Sequence, residues 1–328
     1  MASAQQLIGM IRSHAAGDDD RFLSIAEEIA GEAGRAGRSK VAADLTALVA
    51  GLRADGRGTR RGSDLTSLAA PRGELANLLR AAYSETVLSD LVLSQALGHR
   101  LGRLVREHRE RDKLEEHGLA PRRKFLFSGP PGTGKTMTAS AIAGELNLPL
   151  FTIMLDGVIT KYMGETAAKL RLIFDAMHRT RGVYFFDEVD ALATRRGNDN
   201  DIGEARRVLN SFLQFLDEDR SSSVIVAATN HQSLLDPALF RRFHATFAYE
   251  KPSSSEARRV LGNHLLQFDT ASLDWGRLDE ATRGLSHADL TAAADDAARD
   301  AVLDFDGRLE TGLLLRALCD RSEQDATG

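Results

Sequence analysis

Eight consecutive residues constrain the fold of this 328-residue chain more than any other stretch: Gly129, Pro130, Pro131, Gly132, Thr133, Gly134, Lys135 and Thr136. They match G-x-x-x-x-G-K-[ST] in full, between an apolar run, Lys124 to Ser128, and a helix expected over Lys135 to Leu146. The chemistry that needs this pattern is phosphate binding. Glycines let backbone N–H groups curl around a phosphate, and the following helix directs the positive end of its dipole at the same point. Lys135 is expected to reach the β- and γ-oxygens of a nucleotide, and the Thr136 hydroxyl to bind Mg2+.

The rest of the middle region agrees with such a loop. Residues 149–155, 183–186, 223–228 and 245–249 read as further short apolar strands, with helices expected near 165–179, 203–217 and 233–240. Near-continuous apolar strands alternating with helices predict an α/β fold with a parallel sheet flanked by helices. After Pro252 no strand candidate remains, and 254–268, 277–283, 288–303 and 310–321 predict four helices of a small lid. Ahead of the sheet, residues 85–117 predict a helical lead-in whose charged end, Arg100 to Lys113, reads as a solvated face. Apolar positions at helical spacing (Leu7, Ile8, Ile11; Phe22, Ile25, Ile29; Val41, Leu45, Leu48, Leu52) predict an N-terminal bundle. The expected organisation is a bundle over 1–54 that recruits a partner or substrate, then a Gly- and Arg-rich linker over 55–73. A nucleotide-binding α/β unit over 74–251 and a helical lid over 252–322 follow.

A second motif closes the third strand, which ends in Asp187-Glu188. A carboxylate at the end of a buried strand beside a phosphate loop commonly holds the Mg2+ shell, a role assigned to Asp187. Glu188 then stands where a water can be polarised for in-line attack on the γ-phosphorus. Asp190 reads as structural. The fourth strand runs into Thr229-Asn230, and Asn230 at its tip is expected to face the γ-phosphate and help position the water.

Composition narrows the partners. A net charge of −5 gives no global reason to expect nucleic acid. No apolar run approaches the roughly 20 residues that cross a bilayer, and the N-terminus lacks a charged-then-apolar leader, so no membrane partner is expected. The single cysteine, Cys319, cannot form an internal disulfide, and a reducing, cytoplasmic compartment is the natural expectation.

From about Asp90 to Arg321 the chain resembles the classical AAA ATPases. The resemblance rests on GPPGTGKT, FFDEVDAL (185–192), AATN (227–230), LDPALFRRF (235–243) and GLSHADL (284–290), in the family's order. It implies ATP with Mg2+ as the bound species and hydrolysis to ADP and phosphate. Asn230 resembles the sensor residue. Arg241 and Arg242 fall where the family's arginine fingers reach into a neighbouring subunit's site, which implies a homo-oligomer, a hexamer by family expectation. The family separates these arginines by a Pro-Gly-type insert that this chain lacks, so the resemblance leaves open which of them reaches the γ-phosphate. His264 resembles a histidine that contacts the ribose, and Asp90-Leu91 the stretch that lines the adenine pocket. At His287 the family usually has glycine.

Lys161, Tyr162, Met163 and Gly164 resemble the first pore loop, whose aromatic grips an unfolded chain and whose glycine supplies the bend. The polar stretch 196–201 resembles the second. These features imply a ring motor that pulls or reshapes a protein substrate. The pattern also resembles compact bacterial AAA ATPases paired with an effector, sometimes a subtilisin-like serine protease, in plasmid-maintenance or phage-defence gene pairs. That resemblance extends over Ile11-Arg12-Ser13-His14 to Asp18-Asp19-Asp20-Arg21-Phe22. The alternative is a nucleotide-dependent switch that restrains a partner effector. A DNA-acting ATPase ranks last, because no DNA-binding motif is visible.

Overall fold

The computed structural model describes residues 71–159, 163–192, 199–234 and 237–327. Six strands form one sheet: β1 (Leu79–Ala82), β2 (Lys124–Ser128), β3 (Leu150–Ile153), β4 (Val183–Phe186), β5 (Val224–Thr229) and β6 (Ala245–Ala248), in the order β1-β3-β4-β5-β2-β6. All pairings are parallel except β1 with β3. Every residue of β2, β4 and β5 is buried, as strands covered on both faces must be.

The period-2 alternation of strand side chains divides the core into two layers. On one face Leu126, Tyr184, Phe186, Ile225 and Ala227 pack with helices α5 (Met163–Arg179) and α6 (Asp199–Glu218). Phe186 stands 5.1 Å from Phe212 edge to face, and Phe151 stacks on Tyr184 at 4.6 Å. On the other face Phe125, Phe127, Phe185 and Val226 meet α1 (Gln95–Arg109) and α3 (Lys135–Leu146). Two short helices, α2 (Arg111–Glu115) and α4 (Leu155–Val158), and α7 (Pro237–Phe240) complete this part.

The C-terminal helices α8 (Ser254–His264), α9 (Trp275–Ala281), α10 (His287–Asp304) and α11 (Thr311–Thr327) enclose a core of their own. Its alanine stripe, Ala293, Ala294, Ala297 and Ala301, lets α10 lie close to its neighbours. Val92, from the segment before α1, is buried in that same cluster and ties it to the sheet's flank.

Three expectations need correction. The sheet is mixed, because β1 adds an antiparallel edge; its sequence, Leu-Arg-Ala-Ala, is too short and too weakly apolar to announce itself. The lead-in helix begins at Gln95 rather than at 85, because the Ser94 hydroxyl accepts from the Leu97 N–H and caps it there. Met163 and Gly164 lie in the first turn of α5, and Gly164 has no positive φ, so it supplies no loop bend. Lys161, Tyr162, residues 1–54, the linker up to residue 70, and residues 196–198 lie outside the described residues. Among the described residues no helix is long and apolar enough to cross a membrane.

Gly144 marks one tight contact in this frame. A Cβ there would run into the backbone carbonyl of Thr86, in the segment that crosses α3. Gly144→Ala is therefore expected to lose about 1–3 kcal/mol through overpacking, despite alanine's better helix propensity. Urea denaturation checks this; an unchanged or raised midpoint would contradict it.

Candidate nucleotide site

The phosphate loop leaves the sheet at the C-terminal end of β2, where the Gly129 N–H donates to the Thr229 carbonyl at 3.3 Å. Gly129, Gly132 and Gly134 have φ of +151°, +70° and +92°. At the first two, space as well as conformation requires glycine, because a Cβ would strike the Tyr249 carbonyl or the Ser286 hydroxyl. Gly134 in the left-handed region then turns the chain into α3 at Lys135.

Lys135 is 6% exposed, and its ammonium donates to the carbonyls of Gly129 and Pro130, each at 2.7 Å. Burial pulls its pKa below the ordinary lysine value, while the charges of Asp187 and Asp190 act the other way. The Thr133 hydroxyl donates to the Pro130 carbonyl at 2.8 Å and closes the loop on itself. The Thr136 hydroxyl points across to β4 and donates to Asp187 Oδ2 at 3.2 Å.

One hydroxyl and one carboxylate side by side are hard oxygen donors, the set Mg2+ takes when phosphates and water supply the rest. Among the described residues no group of three or more His, Cys, Asp or Glu side chains is arranged to hold a metal alone. The residues present therefore fit Mg2+ arriving with a nucleotide.

Glu188 follows with φ +51°, a conformation that costs a non-glycine residue about 1–3 kcal/mol and persists where its surroundings over-determine it. Its N–H donates to Asp187 Oδ1 at 3.0 Å, its carbonyl accepts from Ala191 at 2.8 Å, and its side chain is exposed. Asp190 is 9% exposed and accepts from the Thr229 hydroxyl at 2.8 Å. That hydroxyl in turn accepts from the His231 N–H at 3.0 Å. Thr229 thus clamps the turn after β4 to the tip of β5, on which Asn230 sits half-buried. In the sequence Thr229 belongs to no motif of its own and is marked only as a hydroxyl beside Asn230.

The lid grips this loop directly. Ala288 N–H donates to the Gly132 carbonyl at 3.0 Å, and Lys251 donates to the Gly284 carbonyl at 2.6 Å. Ser286 and Asp289 form a capping box that fixes the start of α10. Burial holds His287 below its ordinary pKa, with the Val92 backbone and Glu256 opposing.

Other candidate residues lie apart. Asp90 accepts from the Val87 N–H at 2.9 Å, Leu91 is buried, and His264 bonds to Thr291 at 3.3 Å. None of the three touches the phosphate loop through a hydrogen bond among the described residues. Arg242 is held by Asp217 at 2.8 Å and by the Ala238 carbonyl at 2.9 Å. Arg241 is exposed and makes no ion pair or hydrogen bond among the described residues. Both precede β6, whose Ala245 pairs with Phe125 while Ala248 pairs with Ser128. They stand at the leading end of the sheet, and the phosphate loop stands at the trailing end.

Comparison with known proteins agrees with this geometry. The model of the ATPase family associated with various cellular activities (AAA) matches residues 125–251. The chain is 33% identical over 327 residues to the uncharacterized AAA family ATPase y4kL of Sinorhizobium fredii, covering 99% of this chain and 97% of that protein. It is 33% identical over 233 residues to the ATP-dependent zinc metalloprotease FtsH 3 of Sphaerobacter thermophilus, covering 69% of this chain and 48% of that one. It is 37% identical over 199 residues to the proteasome-activating nucleotidase of Methanothermobacter thermautotrophicus, covering 58% and 48%. The chain thus spans about half the length of the last two.

The Thr229 clamp is testable. Thr229→Val leaves Asp190 without that donor and should cost about 1–3 kcal/mol, the usual penalty for a buried polar group losing its partner. Denaturant midpoints should fall for Thr229→Val and largely recover for Thr229→Ser. Equal midpoints for wild type and Thr229→Val would contradict the clamp.

Proposed function

This chain belongs to the AAA ATPase family and hydrolyses ATP, and from that premise we propose that it is a ring motor whose nucleotide pocket each neighbouring copy completes. The observation that carries the reading is the sheet register. β2 and β6 run parallel over four residues, about 13 Å at roughly 3.3 Å per residue. Arg241 stands a further four residues before Ala245, in the turn that leads into the far end of β6, and makes no hydrogen bond or ion pair with the phosphate loop of its own chain. A guanidinium without a partner at that end suits the pocket of a second copy, where it offsets charge developing on the transferred phosphoryl group. Arg242, bound to Asp217 and Ala238, is better suited to holding the segment that carries Arg241.

Within one copy the roles divide by geometry. The loop N–H groups and Lys135 bind the phosphates, Lys135 exchanging the Gly129 and Pro130 carbonyls for phosphate oxygens. Thr136 and Asp187 would hold Mg2+, which when bound neutralises charge on the β- and γ-oxygens. The exposed Glu188, on its left-handed turn, is suited to take a proton from the attacking water, and Asn230 to orient that water. Asp90, Leu91 and His264 remain candidates for the base and ribose.

The work falls on a polypeptide in this reading. Support comes from the two relatives whose names tie ATP or nucleotide use to a protease or a proteasome, and from the sequence Lys161-Tyr162-Met163-Gly164, which resembles a first pore loop. Peptide cleavage is not part of the proposal: none of the nine histidines is followed by glutamate, so the zinc-protease motif H-E-x-x-H does not occur. The resemblance to effector-paired bacterial ATPases adds a partner protein, such as a subtilisin-like protease, presented by the N-terminal segment.

Three variants test this. Lys135→Ala should lose nucleotide binding, whereas Glu188→Gln should bind ATP and hydrolyse it ~100-fold or more slowly. The Glu188→Gln protein should also retain its protein substrate on purification, and robust turnover would remove Glu188 from its role. Tyr162→Ala should keep ATPase activity and lose remodelling. An unchanged phenotype would point instead to a nucleotide-timed switch.

A further inference from the structure

At the end of the sheet opposite the phosphate loop lies a cavity of about 680 Å³. Its walls come from the segments that lead into four strands: Arg122, Arg123 and Lys124 before and at the start of β2, Arg181 before β4, Arg220 before β5, and His244 before β6. Arg111 and His108 line it from α2 and α1, and Glu115 is the one carboxylate in the lining. This concentration of positive charge stands in a chain whose net charge is −5.

The cations are not all neutralised. Arg122 pairs with Glu107, Arg123 with the buried Asp219, and Arg111 with Glu115. Lys124 donates to the Leu216 carbonyl, and Arg220 to the carbonyls of Asp217 and Asp219. Those carbonyls at the end of α6 fix where the two cations stand and leave their formal charges without a bonded carboxylate. Arg181 is exposed and has no hydrogen bond or ion pair among the described residues. Partial desolvation of its guanidinium and the charge of Arg111 hold its pKa down. Lys124 and His244 are likewise depressed, by burial first and then by neighbouring cations. His244 Nδ1 accepts from the N–H groups of Arg123 and Lys124, at 3.0 and 3.3 Å, which leaves the proton of the neutral ring on Nε2 as a further donor.

Like charges gathered around a concave space, fixed from several elements, describe a site prepared for an anion. We propose that this cavity binds a compact, multiply charged phosphate ligand through Arg181 and Arg220, with Lys124 and the His244 Nε2–H as further donors. Guanidinium groups bind phosphate through paired N–H donors, and the volume suits a small ligand. A nucleic-acid strand fits less well, because the lining offers no phenyl, phenol or indole ring for base stacking. The site is independent of the nucleotide reading above, which concerns the other end of the sheet.

The test is calorimetric titration of the full chain with inorganic tripolyphosphate, in magnesium-free buffer with the phosphate loop saturated by ADP. One binding event is expected, weakening with salt as partly exposed charges must. Arg181→Glu combined with Arg220→Glu should weaken it at least tenfold, and Ser222→Asp, in the lining, should weaken it without removing a cation. Arg181→Gln, which breaks no internal bond, should weaken it about threefold or more and keeps the test valid if the double variant misfolds; ADP affinity should stay unchanged throughout. No binding at low salt, or binding indifferent to these substitutions, would overturn the proposal. So would binding abolished by Lys135→Ala alone, or an oligonucleotide that binds there and is not displaced by tripolyphosphate.

Discussion

A parallel sheet has two chemically different ends, and in this protein the register of β2 with β5 and β6 decides which loop stands at which. Loops that follow β2, β4 and β5 converge at the trailing end, so Thr136, Asp187 and Thr229 come within hydrogen-bond reach of their partners there. Segments that lead into the strands gather at the other end, and those segments carry Arg122, Arg123, Lys124, Arg181, Arg220, Arg241 and Arg242. Burial of β2, β4 and β5 on both faces keeps this arrangement from sliding. A one-residue slip of β2 would exchange Leu126 with Phe125 and Phe127 between the two core layers.

At the trailing end the polar contacts form a connected set. The Thr136–Asp187 bond joins loop to β4, the Thr229–Asp190 bond joins β5 to the turn beyond β4, and the Ala288–Gly132 bond joins the lid to the loop. The Thr229–Asp190 bond is the buried one of the three, and a buried polar pair holds one geometry well when both members are satisfied. The lid therefore has a direct mechanical contact with the loop between β2 and α3, through a carbonyl whose residue tolerates no side chain. The positive φ of Glu188 belongs to the same set, since its backbone is pinned by Asp187 on one side and Ala191 on the other.

The fold class was legible because its carriers are local. Lys124–Ser128 and Val183–Phe186 are unbroken apolar runs, and the glycines and lysine between β2 and α3 occur in one stretch of eight residues. β1 was not legible, because four residues with two alanines hold their place only through pairing with β3. The start of α1 depended on which serine accepts from the helix N–H groups, a matter of backbone direction rather than of composition. In the candidate site the contiguous residues could be named from sequence, but Thr229 could not, because its partner Asp190 is 39 residues away. The difference between Arg241 and Arg242 was equally hidden: adjacent identical side chains are told apart by the contacts of Arg242 with Asp217, on α6, and with the Ala238 carbonyl.

Mixing two inactive proteins tests most directly whether the pocket is assembled from two copies. One carries Lys135→Ala and keeps its arginines; the other carries Arg241→Ala and keeps its phosphate loop. Each alone should hydrolyse ATP very slowly, and an equimolar mixture should recover a substantial part of the wild-type rate. A mixture no faster than its components, or an Arg241→Ala, Arg242→Ala protein that turns over at full rate when diluted to the monomer, would contradict the account.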